Sequence, residues 1–118
     1  GLKNMTIPNY TGMTFQELHK AVVDWHYKRD LIDGSTDQAQ LAKLTEEVGE
    51  LARALRNEKP LANYQTADAI GDILVVLINI AERSALDLRI CLHRAFNDIK
   101  ERKGKTICGI YIKEEDLG

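Results

Sequence analysis

The sequence is short of the residues that hold small domains together covalently or through a metal. It contains only two cysteines, Cys91 and Cys108, which lie far apart and form neither a CxxC motif nor a Cys/His array. We therefore expect reduced thiols and no structural zinc. A chain of 118 residues can bury a hydrophobic core without such links.

Neither sign of charge is in excess, since 16 basic and 18 acidic residues give a net charge of -2. Such a balance provides no basic field for nucleic acid and no polybasic patch for a membrane. The longest apolar run, Ile73 to Ile80, is interrupted by Asn79 and is too short to span a bilayer. The first residues lack a signal-peptide pattern. We expect a cytoplasmic protein with neither nucleic acid nor membrane as a partner.

Capping and periodicity predict four helices. Thr14 and Glu17 form a capping box that opens the first helix, and Gly34 is the expected stop. The second helix is predicted from about Ala39 to Asn57, and its apolar residues form one stripe. Residues 57–66 are predicted to be a loop.

The third helix is predicted from about Thr66 to Ser84 and is apolar on nearly every side. Burial on all sides of a helix in so short a chain usually requires a second subunit. The fourth is expected to start at an Asp87 cap and to run to about Lys103. We predict a single all-α domain over 1–118, a four-helix bundle that forms a homo-oligomer, with an N-terminal arm at 1–12 and an extended C-terminal tail at 104–118.

Acidic residues stand beside the apolar faces of the second and third helices. Glu47 and Glu50 are three residues apart on one helix face, and Glu46 lies further toward solvent. On the third helix, Asp68 and Asp72 share a row that is otherwise apolar apart from Asn79. An uncompensated buried carboxylate costs several kcal/mol, so these acids need partners.

Two rows of acids that face each other would create a site for a hard cation. Carboxylate oxygens favour Mg²⁺, or Mn²⁺, over zinc, and Mg²⁺ commonly completes its shell with water and phosphate oxygens. We therefore infer a phosphate-containing substrate. Side chains expected to meet it are Lys43 and Gln40, one and two turns before Glu47, and Asn97, Lys100 and Arg102 near the end of the fourth helix.

Each of these features also has a purely structural interpretation. A glutamate-rich face is often solvated, and Asp68 near a helix start could serve the helix dipole. Basic residues that end a helix complement the same dipole. Asn79 is expected to hydrogen-bond across a helix interface. Asp72 lies in mid-helix, where the dipole does not account for it.

The segments "KLTEEVGELARAL", "DAIGDILVVLINIA" and "AFNDIKERKGK" resemble the MazG-like nucleotide pyrophosphohydrolases of the all-α NTP pyrophosphatase superfamily, over roughly residues 15 to 113. The family pattern is E-x-x-E on one helix and E-x-x-D on the next, followed by an asparagine and basic residues. The resemblance implies a homodimer or homotetramer that uses Mg²⁺ to hydrolyse a nucleoside triphosphate to its monophosphate and pyrophosphate.

The resemblance also assigns roles to individual residues. Glu47 and Glu50 correspond to the first metal pair and Asp72 to the final aspartate. The sequence departs from the pattern at Ala69, which stands where the family has an acid, and Asp68 is the nearby substitute ligand. Asn97, Lys100 and Arg102 resemble the substrate-contacting segment.

Three functions follow as hypotheses. In the first, an enzyme, Glu46 is the expected base that accepts a proton from water, while Lys43, Lys100 or Arg102 stabilises the leaving pyrophosphate. In the second, a binding module, the same site holds nucleotide and metal without cleavage, and Ala69 favours it. In the third, a structural oligomer, the acids pair with lysines and arginines.

Overall fold

The computed structural model describes residues 12–56 and 62–118. Most of the predicted N-terminal arm therefore lies outside the described residues. The chain divides after Leu86 into two compact units. The first contains three helices, α1 (Phe15–Lys28), α2 (Asp37–Arg56) and α3 (Ala62–Arg83), and the second begins with α4 (Leu88–Ile99). The fold is all-α, as the sequence predicts.

Side-chain caps fix the starts of three helices. Thr14 and Glu17 form the predicted capping box, in which each side chain bonds the other residue's backbone N–H at 3.1 Å. The hydroxyl of Thr36 accepts from the N–H of Ala39 and so caps α2. The carboxylate of Asp87 accepts from the N–H of Arg89 at 2.7 Å at the start of α4. These contacts satisfy backbone donors that a helix leaves unpaired at its first turn.

The end of α1 differs from the prediction that Gly34 stops the helix. The helix ends at Lys28, and Asp30 adopts a left-handed conformation with φ 55°. The N–H of Leu31 then reaches back to the carbonyl of His26 at 3.0 Å, which closes the helix end. Gly34 serves the loop instead, since a Cβ there would lie 2.5 Å from the carbonyl oxygen of Asp30.

The start of α3 and the end of α4 also differ from their predicted positions. Residues 62–66, predicted as part of a loop, form the start of α3, and residues 57–61 lie outside the described part. The fourth helix ends at Ile99 rather than about Lys103. Because Lys100 already caps this helix, the basic segment that follows lies outside it.

We expect Ala85→Gly to stabilise the protein by about 0.5–1 kcal/mol. Ala85 follows α3 with φ 57°, while the N–H of Leu86 bonds the carbonyl of Ala81 at 2.8 Å. Alanine is strained in this left-handed conformation and glycine is not. Urea denaturation measures the effect, and Ala67→Gly in mid-helix, expected to destabilise, is the control. Equal loss of stability in both variants would contradict the assignment.

In the first unit, α2 packs along α3, and α1 packs against α3. The guanidinium of Arg83 joins the ends of these helices, since it donates to the carbonyls of Ile32 and Ser35 at 3.1 Å and to the carboxylate of Asp37 at 2.7 Å. The buried apolar residues are Ile32, Ala54, Ala69, Val76, Ile78 and Ala81. Most of these lie on α3, which makes it the central helix of the unit.

Asn79 is fully buried and acts as the predicted structural polar residue. Its Nδ2 donates to the carbonyl of Leu31 at 2.9 Å and lies 3.3 Å from Nδ1 of His26. The Nε2 of His26 lies 3.0 Å from the carbonyl of Val75. Because a carbonyl only accepts, the proton of His26 is on Nε2, and Nδ1 accepts from Asn79. This network fixes the position of α1 along α3.

By length and composition alone, Asn63–Arg83 also qualifies as a membrane-crossing helix. Core helices of soluble domains pass the same test. Here the segment carries Asp68, Asp72 and Asn79 and packs against two other helices. Only 28% of its most apolar window is buried within the described part of the chain.

In the second unit, α4 is followed by a β-hairpin, β1 (Gly104–Ile107) and β2 (Ile110–Lys113), and by one turn of 3₁₀ helix (Glu114–Asp116). The strands pair antiparallel from Gly104 opposite Lys113 to Ile107 opposite Ile110. The sequence predicts one extended tail, whereas the structure folds it back on itself. Cys108 and Gly109 make this possible, because both have positive φ, as a two-residue hairpin turn requires.

Candidate functional site

Three glutamates on α2 converge on one point. One carboxylate oxygen from each of Glu46, Glu47 and Glu50 lies within 4.8 Å of the other two. Their exposure differs: Glu46 is exposed, Glu50 is half-buried and Glu47 is only 4% exposed. The residue at the centre of the cluster is therefore Glu47, and the other two lie between it and solvent.

The two carboxylate oxygens of Glu47 have different environments. Oε1 lies 3.1 Å from the ammonium Nζ of Lys43, one helical turn earlier. Oε2 is buried and has no hydrogen-bond partner among the described residues. A buried polar atom without a partner costs about 1–3 kcal/mol, and more when it is charged. The geometry thus leaves one carboxylate oxygen available to a further positive group.

Asp72 on α3 faces the same cluster. Loss of hydration raises the pKa of Asp72, and the negative charges of Asp68 and Glu47 raise it further, while Lys43 opposes them. The charge of Glu47 is likewise the main cause that raises the pKa of Glu50. Acids from two helices therefore lie within electrostatic range of Glu47, and they repel one another.

Lys43 is the basic residue closest to this acidic group in the structure. Its hydrogen bond to Glu47, with the charges of Glu46 and Glu47, raises the pKa of Lys43. Its Nζ is also 3.9 Å from Glu46. Arg53 also acts on Glu50, whose pKa it lowers. Two basic side chains cannot neutralise four nearby carboxylates, so the cluster keeps a net negative charge.

Ala69, at the family's second acidic position, and its neighbour Asp68 are not among the three residues whose carboxylates converge. Asp68 is exposed, and Ala69 is only 3% exposed. Both line a cavity of about 390 Å³ between α2 and α3, together with Glu50, Arg53, Ala54, Tyr64 and Gln65. The cavity therefore adjoins the glutamate cluster through Glu50.

The donor set fits a hard divalent cation. All the converging atoms are carboxylate oxygens, which Mg²⁺ and Mn²⁺ prefer. Such a cation would give the unpartnered Oε2 of Glu47 a partner. It would also offset the repulsion that raises the pKa of Glu50. Glu46, Glu47 and Glu50 converge closely enough to offer oxygens to one ion, and Asp72 faces them from α3.

Other residues expected to meet substrate have the following surroundings. The amide Nε2 of Gln40 donates to the hydroxyl of Ser35 at 2.9 Å near the start of α2. Asn97 and Lys100 are exposed, and the amide of Asn97 lies 3.4 Å from His93. Arg102 lines a charged groove of about 600 Å³ in the second unit, with basic and acidic neighbours.

Arg53 was not among the residues that the sequence singled out. It lies three residues after Glu50, lines the same cavity and lowers the pKa of Glu50, against the larger effect of Glu47. Its spacing of i, i+3 from Glu50 was the available signal. The sequence did not indicate whether this arginine pointed to solvent or to a cavity.

Comparison with known proteins agrees with this geometry. Residues 35–106 match the MazG nucleotide pyrophosphohydrolase domain, a span that includes the whole carboxylate cluster. The chain therefore belongs to the MazG nucleotide pyrophosphohydrolase family. It is also 38% identical over 72 residues to an uncharacterized 18.2 kDa protein from the rep-hol intergenic region of Haemophilus phage HP1. That match covers 61% of this chain and 42% of the phage protein. No solved structure matches significantly.

The raised pKa of Asp72 predicts an unusual pH dependence of the metal-free protein. A carboxyl with a raised folded-state pKa contributes stability below its unfolded value, and that stability is lost as the pH rises through the folded value. Asp72→Asn cannot ionise and avoids the loss. We expect this variant to be more stable than the wild type at pH 7 in EDTA, with a difference that shrinks toward about pH 4.

Urea denaturation at a series of pH values measures this difference. Asp24→Asn is the matched control, because Asp24 is an exposed aspartate paired with Lys20. A difference between wild type and Asp72→Asn that stayed constant with pH would contradict the electrostatic account of this carboxylate.

Proposed function

We propose that the chain is a Mg²⁺-dependent hydrolase that converts a nucleoside triphosphate to its monophosphate and pyrophosphate. One observation carries the proposal: Glu47 is buried beside other acids with one carboxylate oxygen unpartnered. A stable protein rarely keeps such a group without a ligand that compensates it. Membership of a nucleotide pyrophosphohydrolase family indicates what that ligand would carry.

In this proposal the residues of the site have different roles. Glu47, Glu50 and Asp72 would hold the cation, which when bound neutralises charge on phosphate oxygens and activates water. Asp68 is exposed, whereas Asp72 is half-buried and within range of the charge of Glu47, so we give the metal-binding role on α3 to Asp72 rather than to Asp68. Glu46 is the most exposed of the three glutamates and is free of the burial that constrains Glu47. We assign Glu46 to accept the proton from the attacking water.

Cationic groups would stabilise the charge that develops on the pyrophosphate. Lys43 stands beside the cluster with its side chain about half exposed, at 52%, so it can turn from Glu47 toward a phosphate. For Asn97, Lys100 and Arg102, the resemblance alone supports a role in binding substrate. The three are exposed in the second unit.

We also propose that the protein is a homo-oligomer, a dimer or a tetramer. Leu41, Val48 and Leu55 recur every seven residues along α2 and are 60%, 49% and 68% exposed. Thr45 and Ala52 complete this stripe, and they are exposed as well. An apolar stripe with this spacing is typical of a helix that packs against another helix. Light scattering of the wild type in solution measures the mass.

A second candidate function is a sensor that binds nucleotide and metal without cleavage. The observation that favours it is Ala69, which places a methyl group where the family pattern has an acid. A site with one ligand fewer can hold a cation and still position water poorly for attack.

A panel of ribo- and deoxyribonucleoside triphosphates with Mg²⁺ separates the two functions. We expect release of pyrophosphate and a nucleoside monophosphate from at least one of them, measured by a coupled pyrophosphate assay. Release of inorganic phosphate alone would indicate a different bond specificity. Binding of nucleotide by calorimetry without any release would support the sensor and contradict the enzyme.

A further inference from the structure

The cavity between α2 and α3 has the size of a small-molecule site. Its volume is about 390 Å³, within the range of roughly 300–1,000 Å³ that ligand pockets occupy. It borders the carboxylate cluster, because Glu50 belongs to both. A ligand that contacts the cluster with its phosphates therefore has this cavity beside it.

The cavity depends on small residues at its walls. Ala54 and Ala69 are buried at 4% and 3% exposure and both line it. A glutamate at position 69 would place four more heavy atoms beyond the Cβ and would occupy this space. The departure of this chain from the acidic pattern thus removes a possible ligand and opens a volume at the same position.

The other described residues that line the cavity include an aromatic residue and residues with hydrogen-bond donors and acceptors. Tyr64, Arg53 and Asp68 all line the cavity, and their side chains carry an aromatic ring, hydrogen-bond donors and hydrogen-bond acceptors, respectively. Gln65 offers an amide on the same wall. Nucleobases are recognised by stacking on aromatic rings and by donors and acceptors at their edges.

We propose that this cavity binds the nucleoside of the substrate, with the base against Tyr64 and its polar edge toward Arg53 and Asp68. The proposal rests on the proposed function, since it places the base beside the carboxylate cluster that would face the triphosphate. It gives Ala69 a positive role, which is to leave room for the base. It also gives Asp68, which lines the cavity, a role in the nucleoside site.

The test compares two ligands that share phosphates and differ in the nucleoside. Calorimetry in the presence of Mg²⁺ measures binding of non-hydrolysable α,β-methylene nucleoside triphosphates and of inorganic tripolyphosphate. We expect the wild type to bind at least one nucleotide analogue about 10-fold or more tightly than tripolyphosphate. Equal affinities for tripolyphosphate and for all the analogues would overturn the proposal.

Variants test whether the preference for a nucleotide over tripolyphosphate depends on residues that line the cavity. Ala69→Leu, which fills the cavity, is expected to weaken binding of the preferred analogue about 10-fold and to leave tripolyphosphate within about twofold. Ala67→Leu, two residues away on the same helix and outside the cavity, is the control. Tyr64→Ala removes the stacking ring without filling the core and is expected to cause the same selective loss. Unchanged selectivity in Tyr64→Ala would overturn the proposal even if Ala69→Leu failed to fold.

The two proposals fail in different ways. Selective loss of nucleotide binding in these variants, with no pyrophosphate released by the wild type, would overturn the hydrolase and support the nucleoside site. Pyrophosphate release by wild type and both variants, with unchanged nucleotide affinity, would support the hydrolase and overturn the nucleoside site.

Discussion

Glu47→Gln is expected to reduce pyrophosphate release by at least about 10³-fold while the fold persists. Glutamine keeps the size of the side chain and removes the charge that would hold the cation. Glu47 is the buried centre of the cluster, and the carboxylates of Glu50 and Asp72 both feel its charge. An exposed neighbouring carboxylate cannot take over the buried position of Glu47. The measurement is steady-state pyrophosphate release with the preferred nucleotide.

Circular dichroism establishes that Glu47→Gln is folded, and Asp24→Asn serves as the activity control, because Asp24 is exposed and paired only with Lys20 among the described contacts. Glu50→Gln and Asp72→Asn are expected to lose hydrolysis as well. Wild-type turnover in Glu47→Gln would remove the basis of the proposed site.

Removal of divalent cations is expected to abolish hydrolysis and to lower the melting temperature. A cation that binds only the folded state, at about 100 times its dissociation constant, adds about 2.7 kcal/mol of stability, which corresponds to roughly 10 °C for a chain of this size. The physical reason is the excess negative charge around Glu47, which Lys43 alone does not neutralise.

Thermal unfolding with EDTA, with Mg²⁺ and with Mg²⁺ plus nucleotide measures this effect. Asp72→Asn is expected to reduce the Mg²⁺-dependent shift, since it removes one carboxylate that faces the site. A melting temperature that did not change with Mg²⁺ and nucleotide would support a purely structural role for these acids.

Features set by a few neighbouring residues were predictable from the sequence. The capping box of Thr14 and Glu17 and the cap of Asp87 formed as predicted, because each depends on contacts within one helical turn. The prediction at Gly34 was wrong. Sequence patterns favour glycine in the left-handed conformation at a helix end, but aspartate also adopts it, and here Asp30 does so four residues before Gly34.

The candidate site was predictable in its residue types and only partly in its arrangement. Helical spacing indicated that Glu47 and Glu50 share a face and that Asp72 sits in an apolar row. Spacing did not indicate that Glu47 is the most buried acid or that its Oε2 lacks a partner. Those properties depend on which faces of α2 and α3 meet.

The sequence by itself determined the all-α class, the family and the two acidic rows, because periodicity, caps and motif order are properties of the chain read in order. Tertiary structure alone decided which carboxylate is buried, that Asp68 lines a cavity, and that Ala69 leaves space beside Glu50. The reason is that burial and the electrostatic cost of charge depend on distances between helices, and a helical pattern specifies only which side chains share a face.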